Sequence, residues 1–294
     1  MNTYRLKIFL FFSAVSVLFI SCNSTNIEKN QNKNLAILKE SSTYCTEADP
    51  LPFCIQLDES RAEEIRVFFK ENASLDLYSI AVSEKTTWEK AYEIALFAAT
   101  IPHDNQKIQP ANRDSITLWK YSKEYPSGFN CRLHSIFLSE LLFAAGIQNR
   151  FITCLSANPD DPDCHVVNIV WLPELNKWAM IDSDMQEYWI DSKGIPLSLE
   201  EMRNSLINGT EHSIITFSQN EKFKEYLEAY WTKNLYYFAC HTTYAYSLEG
   251  TEKNNLAQKD YYAALIPPDF QSSKDYADIY TTDSQNFWSN PPEN

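Results

Sequence analysis

Glycine is scarce in this sequence, and its scarcity excludes the common nucleotide-binding motifs. The 294 residues include five glycines, at positions 128, 146, 194, 209 and 250, and no two of them lie closer than fifteen positions apart. Glycines spaced this widely cannot form a G-x-G-x-x-G loop, a Walker-type phosphate loop or a G-x-S-x-G nucleophile elbow. The metalloprotease motif H-E-x-x-H is absent as well.

Basic residues are also few, which argues against a nucleic-acid partner. The chain has 25 Lys and Arg against 39 Asp and Glu, a formal net charge of −14. Because nucleic-acid affinity comes mostly from Lys and Arg that neutralise phosphates, we expect no nucleic-acid partner. The apolar fraction of 44% is that of a folded protein, and a single long apolar run excludes a polytopic membrane protein.

The long apolar run covers residues 8–21, follows Arg5 and Lys7, and is shorter than a membrane span. It ends at Ser21 before Cys22 and resembles a bacterial lipoprotein signal, whose cleavage exposes a cysteine that receives lipid. We therefore expect residues 1–21 to be a signal peptide, with Cys22 as a lipid anchor to the membrane. The protein would then reside in the cell envelope, on the periplasmic or the cell-surface face. An uncleaved N-terminal anchor is the alternative.

The rest of the chain is expected to form one α+β domain. Residues 22–42 are polar and predict a flexible tether, and residues 43–294 predict a single domain with its core at about 114–190. Apolar spacing predicts a buried helix over 131–145, closed by Gly146. Three strand-like segments follow, joined by short connections that favour an antiparallel meander; they are 150–156, 165–171 and 177–182. Additional helices are expected towards both termini, including 59–100 and 221–241.

Three residues with complementary chemistry are expected to meet at one edge of this meander. Cys131 begins the buried helix, where the helix dipole and unpaired N–H groups favour a thiolate. His165 opens the second strand and Asp182 closes the third, so antiparallel pairing places them side by side. This arrangement predicts a nucleophile, a base and an orienting carboxylate, with N–H groups at the helix start available to an oxyanion.

The ordered set of segments resembles the transglutaminase-like superfamily, which is related to papain-like cysteine peptidases. The resemblance spans residues 114–189 and rests on GFNCR at 128–132, AAGIQNR at 144–150, CHVVN at 164–168 and WAMID at 178–182. It implies a thiol enzyme that hydrolyses or transfers acyl groups through an acyl-enzyme. Cys131 would be the nucleophile, His165 the base and acid, and Asp182 the orienting residue, with no cofactor or metal. The expected substrate is a peptide, protein or glycan.

Departures from the family pattern leave a second function open. Val166 and Val167 replace the usual small and aromatic pair after the histidine, and Ser183 stands where proline often follows the aspartate. The alternative is a catalytically inactive lipoprotein that keeps the fold and binds peptides or glycans. Aromatic residues over 226–238 and at 287–288 are most simply core residues, although they could line such a groove.

Other interpretations of the polar residues are less favoured. Asp184 lies two positions after Asp182 and is its rival as the orienting carboxylate. A zinc site is disfavoured because adjacent strand residues point to opposite faces; its candidate ligands are Cys131, His134, Cys154, Cys164 and His165. The acidic loop, residues 160–163, is expected to be solvated rather than to bind a cation.

The cysteines allow disulfides in an oxidising compartment. Cys45 could pair with Cys54, and Cys154 with Cys164, which would leave Cys131 and Cys240 as thiols. A structural disulfide protein would instead require Cys131 to be oxidised.

Overall fold

The computed structural model describes residues 28–41, 44–45, 50–105, 109–124, 128–158, 160–218, 221–251, 256–270 and 276–292. The expected signal peptide and Cys22 lie outside these ranges and stay predictions. Among the described residues, no helix has both the length and the apolar character needed to cross a membrane.

The described chain is a mixed α+β structure, as the sequence predicts. Its helices are α1 (28–40), α2 (Glu59–Ala73), α3 (Leu77–Ala81), α4 (Thr87–Ala98), α5 (Ser115–Glu124), α6 (Cys131–Ala144), α7 (Leu199–Asn208), α8 (Glu221–Asn234) and α9 (Ser284–Phe287). Its strands are β1 (Cys54–Gln56), β2 (Asn149–Leu155), β3 (His165–Leu172), β4 (Lys177–Ile181), β5 (Glu187–Asp191), β6 (His212–Thr216), β7 (Tyr237–His241), β8 (Thr243–Ala245), β9 (Tyr262–Leu265) and β10 (Ile279–Thr281).

A six-stranded sheet forms the centre, in the order β10-β9-β7-β2-β3-β4. Strands β2, β3 and β4 make the predicted antiparallel meander, with Cys154 opposite His165 and Trp171 opposite Trp178. Two smaller sheets pair β1 with β8 and β5 with β6. Both faces of β2 and β3 are buried, which explains the mostly apolar sequence of β3.

Helix α6 packs against β2 and β3 and is buried along almost its whole length. The Asn130 side chain caps its start by accepting the N–H of Leu133 at 3.0 Å. Gly146, with φ of 75°, follows its end and adopts the left-handed conformation that glycine tolerates. On its other side, Phe137 packs against the rings of Phe69 and Trp119, from α2 and α5. Layers on both sides therefore fix the position of the N-terminus of α6.

Residues 28–40 differ from the flexible tether predicted for residues 22–42, because they form helix α1. Leu35 and Leu38 lie on its inner face at helical spacing, and Leu38 is 1% exposed. The Gln31 amide donates to Glu228 of α8 at 2.9 Å. The polar composition concealed this apolar stripe, which supplies the packing that a tether would lack.

The second half of the predicted helix 221–241 also differs. The helix ends at Asn234, and residues Tyr237–His241 form β7, between β2 and β9 in the central sheet. Tertiary pairing therefore overrides helical periodicity for a segment rich in strand-forming aromatic residues.

The proposed disulfides are not formed, since all six cysteines of the described residues are free thiols. Cys45 contacts the Thr282 hydroxyl at 2.7 Å, and Cys54 lies in β1 beside Thr243 of β8. Cys154 lies inside β2, where its cross-strand neighbour is His165.

Candidate active site

The structure brings the three candidate catalytic residues together. Nε2 of His165 lies 2.6 Å from Oδ2 of Asp182, and both side chains are buried. The Sγ of Cys131 and a ring nitrogen of His165 lie within 4.8 Å of each other, with a carboxylate oxygen of Asp184 at the same spacing. Because Nε2 faces Asp182, Nδ1 is the imidazole nitrogen left for the thiol.

Strand register explains why His165 and Asp182 meet. Asn168 pairs with Ile181, so continuing the register places Val167 opposite Asp182. His165 is two residues from Val167 and shares its face, which makes His165 and Asp182 diagonal neighbours on one side of the sheet. The edge position inferred from the sequence is therefore produced by the β3–β4 pairing.

The turn after β4 fixes the Asp182 carboxylate. Its Oδ1 accepts the N–H groups of Asp184 and Met185, at 2.8 and 3.0 Å. Its backbone exchanges two hydrogen bonds with Glu187, both 3.0 Å long. One carboxylate oxygen is thus held by the backbone, and the other is directed at the imidazole.

The surroundings of His165 stabilise its protonated form. Burial by itself lowers the pKa of His165, but the Asp182 carboxylate and Cys131 outweigh it and raise that pKa well above its ordinary value. These contacts therefore favour the imidazolium form of the ring, between a carboxylate and a sulfur atom. Such a cation stabilises a thiolate on Cys131.

The start of α6 supplies donors for a developing negative charge. The Asn130 side chain uses the N–H of Leu133, and the helical hydrogen bonds begin with the N–H of His134. Neither bond involves the N–H groups of Cys131 and Arg132, which lie at the positive end of the helix dipole. These are the donors that an oxyanion beside Cys131 would meet.

Aromatic side chains of α8 enclose His165. The rings of Tyr230 and Trp231 lie edge-on to the imidazole, with centroids at 5.5 and 5.4 Å. Trp231 is fully buried, and its indole N–H donates to the Glu187 carboxyl group. Trp231 is therefore a core residue, whereas Tyr230 is half-buried and Tyr226 is exposed.

Glu187 is a buried carboxyl group that sequence reasoning missed. It is fully buried, and one oxygen accepts from Trp189 at 3.3 Å. Burial, followed by the charge of Asp182, raises the pKa of Glu187 to about 8. Glu187 is therefore mostly protonated at neutral pH, close to an aspartate whose role requires its charge. Nothing in its sequence position as the first residue of β5 indicates this.

Asp184 stands beside the three predicted residues and has its own histidine partners. Its Oδ1 lies 2.8 Å from Nδ1 of His103 and 3.5 Å from Nε2 of His134. The hydrogen bond to Asp184 raises the pKa of His103 despite burial, whereas burial lowers the pKa of His134. Asp182 rather than Asp184 contacts Nε2 of His165, which matches the choice made from the sequence.

A cleft of about 540 Å³ opens from Asp184 towards the surface. Its lining comes from the segment after α4, the turn after β4, the end of β6 and α8: His103, Asp184, Met185, Gln186, Thr216, Ser218 and Tyr226. Asp184 belongs both to this lining and to the group around the thiol, because one of its oxygens lies within 4.8 Å of the Cys131 sulfur.

The structure groups a different set of possible metal ligands from the five residues suggested by the sequence. In the part of the chain that the structure describes, the grouped donors are Cys131, His165 and Asp184. Zinc accepts such a set of sulfur, nitrogen and oxygen. A metal there would occupy the sulfur and the imidazole that acyl transfer requires.

The acidic loop is paired with basic and polar groups of α8. Lys233 lies 3.2 Å from Asp161 and 2.5 Å from Asp163, and the Tyr230 hydroxyl donates to Asp163 at 3.3 Å. Two of its carboxylates thus serve to hold the loop beside α8.

Comparisons with known proteins give little beyond this geometry. No family model matches the sequence, and no curated protein matches it. The chain is similar to a crystal structure from Cytophaga hutchinsonii described as a "putative cysteine protease", with 13% identity and a TM-score of 0.30. The match covers 57% of this chain and 49% of that one, so it spans about half the length of that protein.

Proposed function

We propose that the protein is a transglutaminase-like thiol enzyme: a cysteine peptidase, amide hydrolase or acyl transferase that forms an acyl-enzyme on Cys131. The observation that supports this most is the position of the His165 imidazole. It bonds to Asp182 at 2.6 Å and has its other nitrogen left for the sulfur at the start of α6. A nucleophile, a base and an orienting group in this order form the triad that acyl transfer uses.

In the proposed reaction, the Cys131 thiolate attacks the carbonyl carbon of an amide or ester. The first-turn N–H groups of α6 stabilise the resulting oxyanion. The His165 imidazolium gives its proton to the leaving amine or alcohol, and the carbonyl re-forms as a thioester. Water or an amine then attacks the thioester while neutral His165 takes a proton from it. The collapse of this second intermediate restores the thiolate and the imidazolium.

We also propose that the substrate is envelope or extracellular material: a peptide, a protein or a glycan. The proposed site of action depends on the lipidation expected at Cys22. A mass measurement of Cys22 after expression in a bacterial host with lipoprotein processing tests it. An unmodified N-terminus would contradict the anchoring.

Selective alkylation of Cys131 tests the proposed nucleophile. At pH 6 an ordinary thiol with a pKa near 8.5 is less than about 1% ionised. We expect iodoacetamide to label Cys131 at least about tenfold faster than Cys164, which is also half-buried and whose pKa burial raises. Peptide mapping measures both rates in one sample. Equal rates would contradict an activated thiol.

Turnover is tested with a library of amide and ester substrates. The wild-type chain is expected to hydrolyse or transfer members of the library, and Cys131→Ala is expected to be inactive. The alternative function, an inactive binding lipoprotein, predicts equal retention of ligands by both proteins and no turnover by either. The same two proteins therefore separate the two functions.

A further inference from the structure

Asp184 has a buried carboxylate oxygen that takes no part in the proposed triad. Its side chain is 1% exposed, and Oδ1 faces His103 at 2.8 Å. Among the described residues, Oδ2 has no hydrogen-bond partner. A buried carboxylate oxygen that is left unpaired is costly, which makes this atom a candidate to bind a ligand.

The position of Asp184 restricts which ligand group can satisfy that oxygen. Asp184 lines the 540 Å³ cleft, and one of its oxygens lies within 4.8 Å of both the Cys131 sulfur and a His165 nitrogen. A group that binds Asp184 therefore sits beside the carbonyl carbon that the sulfur attacks. The favoured partner of a buried carboxylate is a cation that donates hydrogen bonds.

We propose that the enzyme acts on acyl groups with a free α-amine, the unblocked N-terminal residue of a peptide or an amino-acid amide, and that Asp184 binds the ammonium group. This inference rests on the proposed function. The α-nitrogen is separated from the carbonyl carbon by one carbon atom, about 2.5 Å. That short span matches the closeness of Asp184 to the sulfur, whereas a lysine side-chain amine lies four methylene groups farther along.

The charges around the thiol also favour an ammonium group at Asp184. An ammonium group at Oδ2 places a positive charge near the thiolate and the carboxylate, two negative groups that otherwise repel each other.

Three fluorogenic amides test the proposal with the purified full chain in the presence of a chelator. They are alanyl-, N-acetylalanyl- and propionyl-amidomethylcoumarin, which carry a free amine, a blocked amine and no amine. We expect kcat/KM for the alanyl substrate to exceed that for the propionyl substrate by about 10- to 100-fold. Asp184→Asn should bring this ratio towards one, because an amide lacks the charge that binds an ammonium group.

Asp160→Asn is the matched control, since it removes the same charge from an exposed position in the acidic loop. It should keep the wild-type ratio. An equal fall of the ratio in Asp160→Asn would assign the preference to the overall negative field and overturn the role of Asp184. A wild-type ratio near one would overturn the inference while leaving the proposed function intact.

The two levels of failure are distinguishable. Turnover of all three substrates without preference rejects only the amine site. Absence of turnover together with an unreactive Cys131 rejects the enzyme and the amine site with it. The wild-type comparison decides the case even where Asp184→Asn fails to fold.

Discussion

Replacing Asp182 with asparagine tests the charge on which the proposed mechanism depends. The substitution keeps the shape of the side chain and the oxygen that accepts the N–H groups of Asp184 and Met185. It removes the negative charge 2.6 Å from Nε2 of His165. We therefore expect the turn after β4 to persist while the imidazolium loses its main stabilising partner.

The size of the effect follows from the burial of this pair. A hydrogen bond to a charged group contributes about 1.5–3 kcal/mol, and the pair is almost fully buried, so solvent screens it little. At about 1.4 kcal/mol for each factor of ten, Asp182→Asn should lower kcat/KM by about 10- to 150-fold. The rate of Cys131 alkylation at pH 6 should fall as well, since less imidazolium is present to stabilise the thiolate.

The pH dependence of stability gives a second measurement. The folded pKa of His165 is raised, so its contact with Asp182 stabilises the fold fully below the unfolded histidine pKa of about 6.5. This contribution is lost as the pH rises through the folded pKa. The difference in unfolding free energy between wild type and Asp182→Asn should therefore be larger at pH 6 than at pH 9.

Asp191→Asn is the matched control for these measurements. Asp191 is the half-buried last residue of β5, and its side chain accepts the N–H groups of Lys193 and Ile195. Its variant should keep the wild-type rates of turnover and alkylation. Unchanged alkylation and turnover in Asp182→Asn would refute the assignment of Asp182 as the group that stabilises the imidazolium.

Two further substitutions test the framework of the site. A Cβ on Gly128, whose φ is 117°, would lie 1.9 Å from the Pro102 carbonyl oxygen, so Gly128→Ala should cost about 3 kcal/mol or more in urea unfolding. The control is Gly194→Ala, where φ is 81° and the Cβ meets nothing within 4 Å; it should cost only about 1–2 kcal/mol. Equal costs for the two variants would contradict the clash. The folded pKa of Glu187, about 8, exceeds its ordinary value, so stability should fall by about 5 kcal/mol as the pH rises from about 4.5 to 8, because the unfolded state ionises first. Glu187→Gln should lack this loss in melts at pH 5 and 9, and an unchanged pH slope would contradict the buried neutral acid.

The three catalytic candidates could be predicted because each depends on local rules. A cysteine at the first position of an apolar helix is placed by the cap at Asn130 and by the helical stripe that follows. His165 and Asp182 are placed by a two-residue side-chain period and a short turn, which together set their relative position. The meander and α6 follow from the same patterns, and the structure has both.

The remaining features depend on contacts between distant segments. His103 reaches Asp184 across 81 positions, and Glu228 meets Gln31 across 197. Neither contact can be predicted from a periodic pattern or a motif in the sequence. Helix α1 and strand β7 differ from prediction for the same reason, since the surface on which each packs is formed by other parts of the chain.

The acidic side chains at this site show why composition alone could not assign their roles. Asp182 is fixed by two backbone N–H groups and an imidazole, and its charge favours the protonated form of His165. Glu187 meets two indole N–H groups in a fully buried position and is mostly protonated at neutral pH. Asp184 has one oxygen on His103, and within the described chain its other oxygen has no partner. The groups around each carboxyl group determine its charge and its availability. Three neighbouring acidic residues therefore differ: Asp182 is the proposed positioning group, Glu187 a neutral core residue, and Asp184 the proposed binding site for an amine.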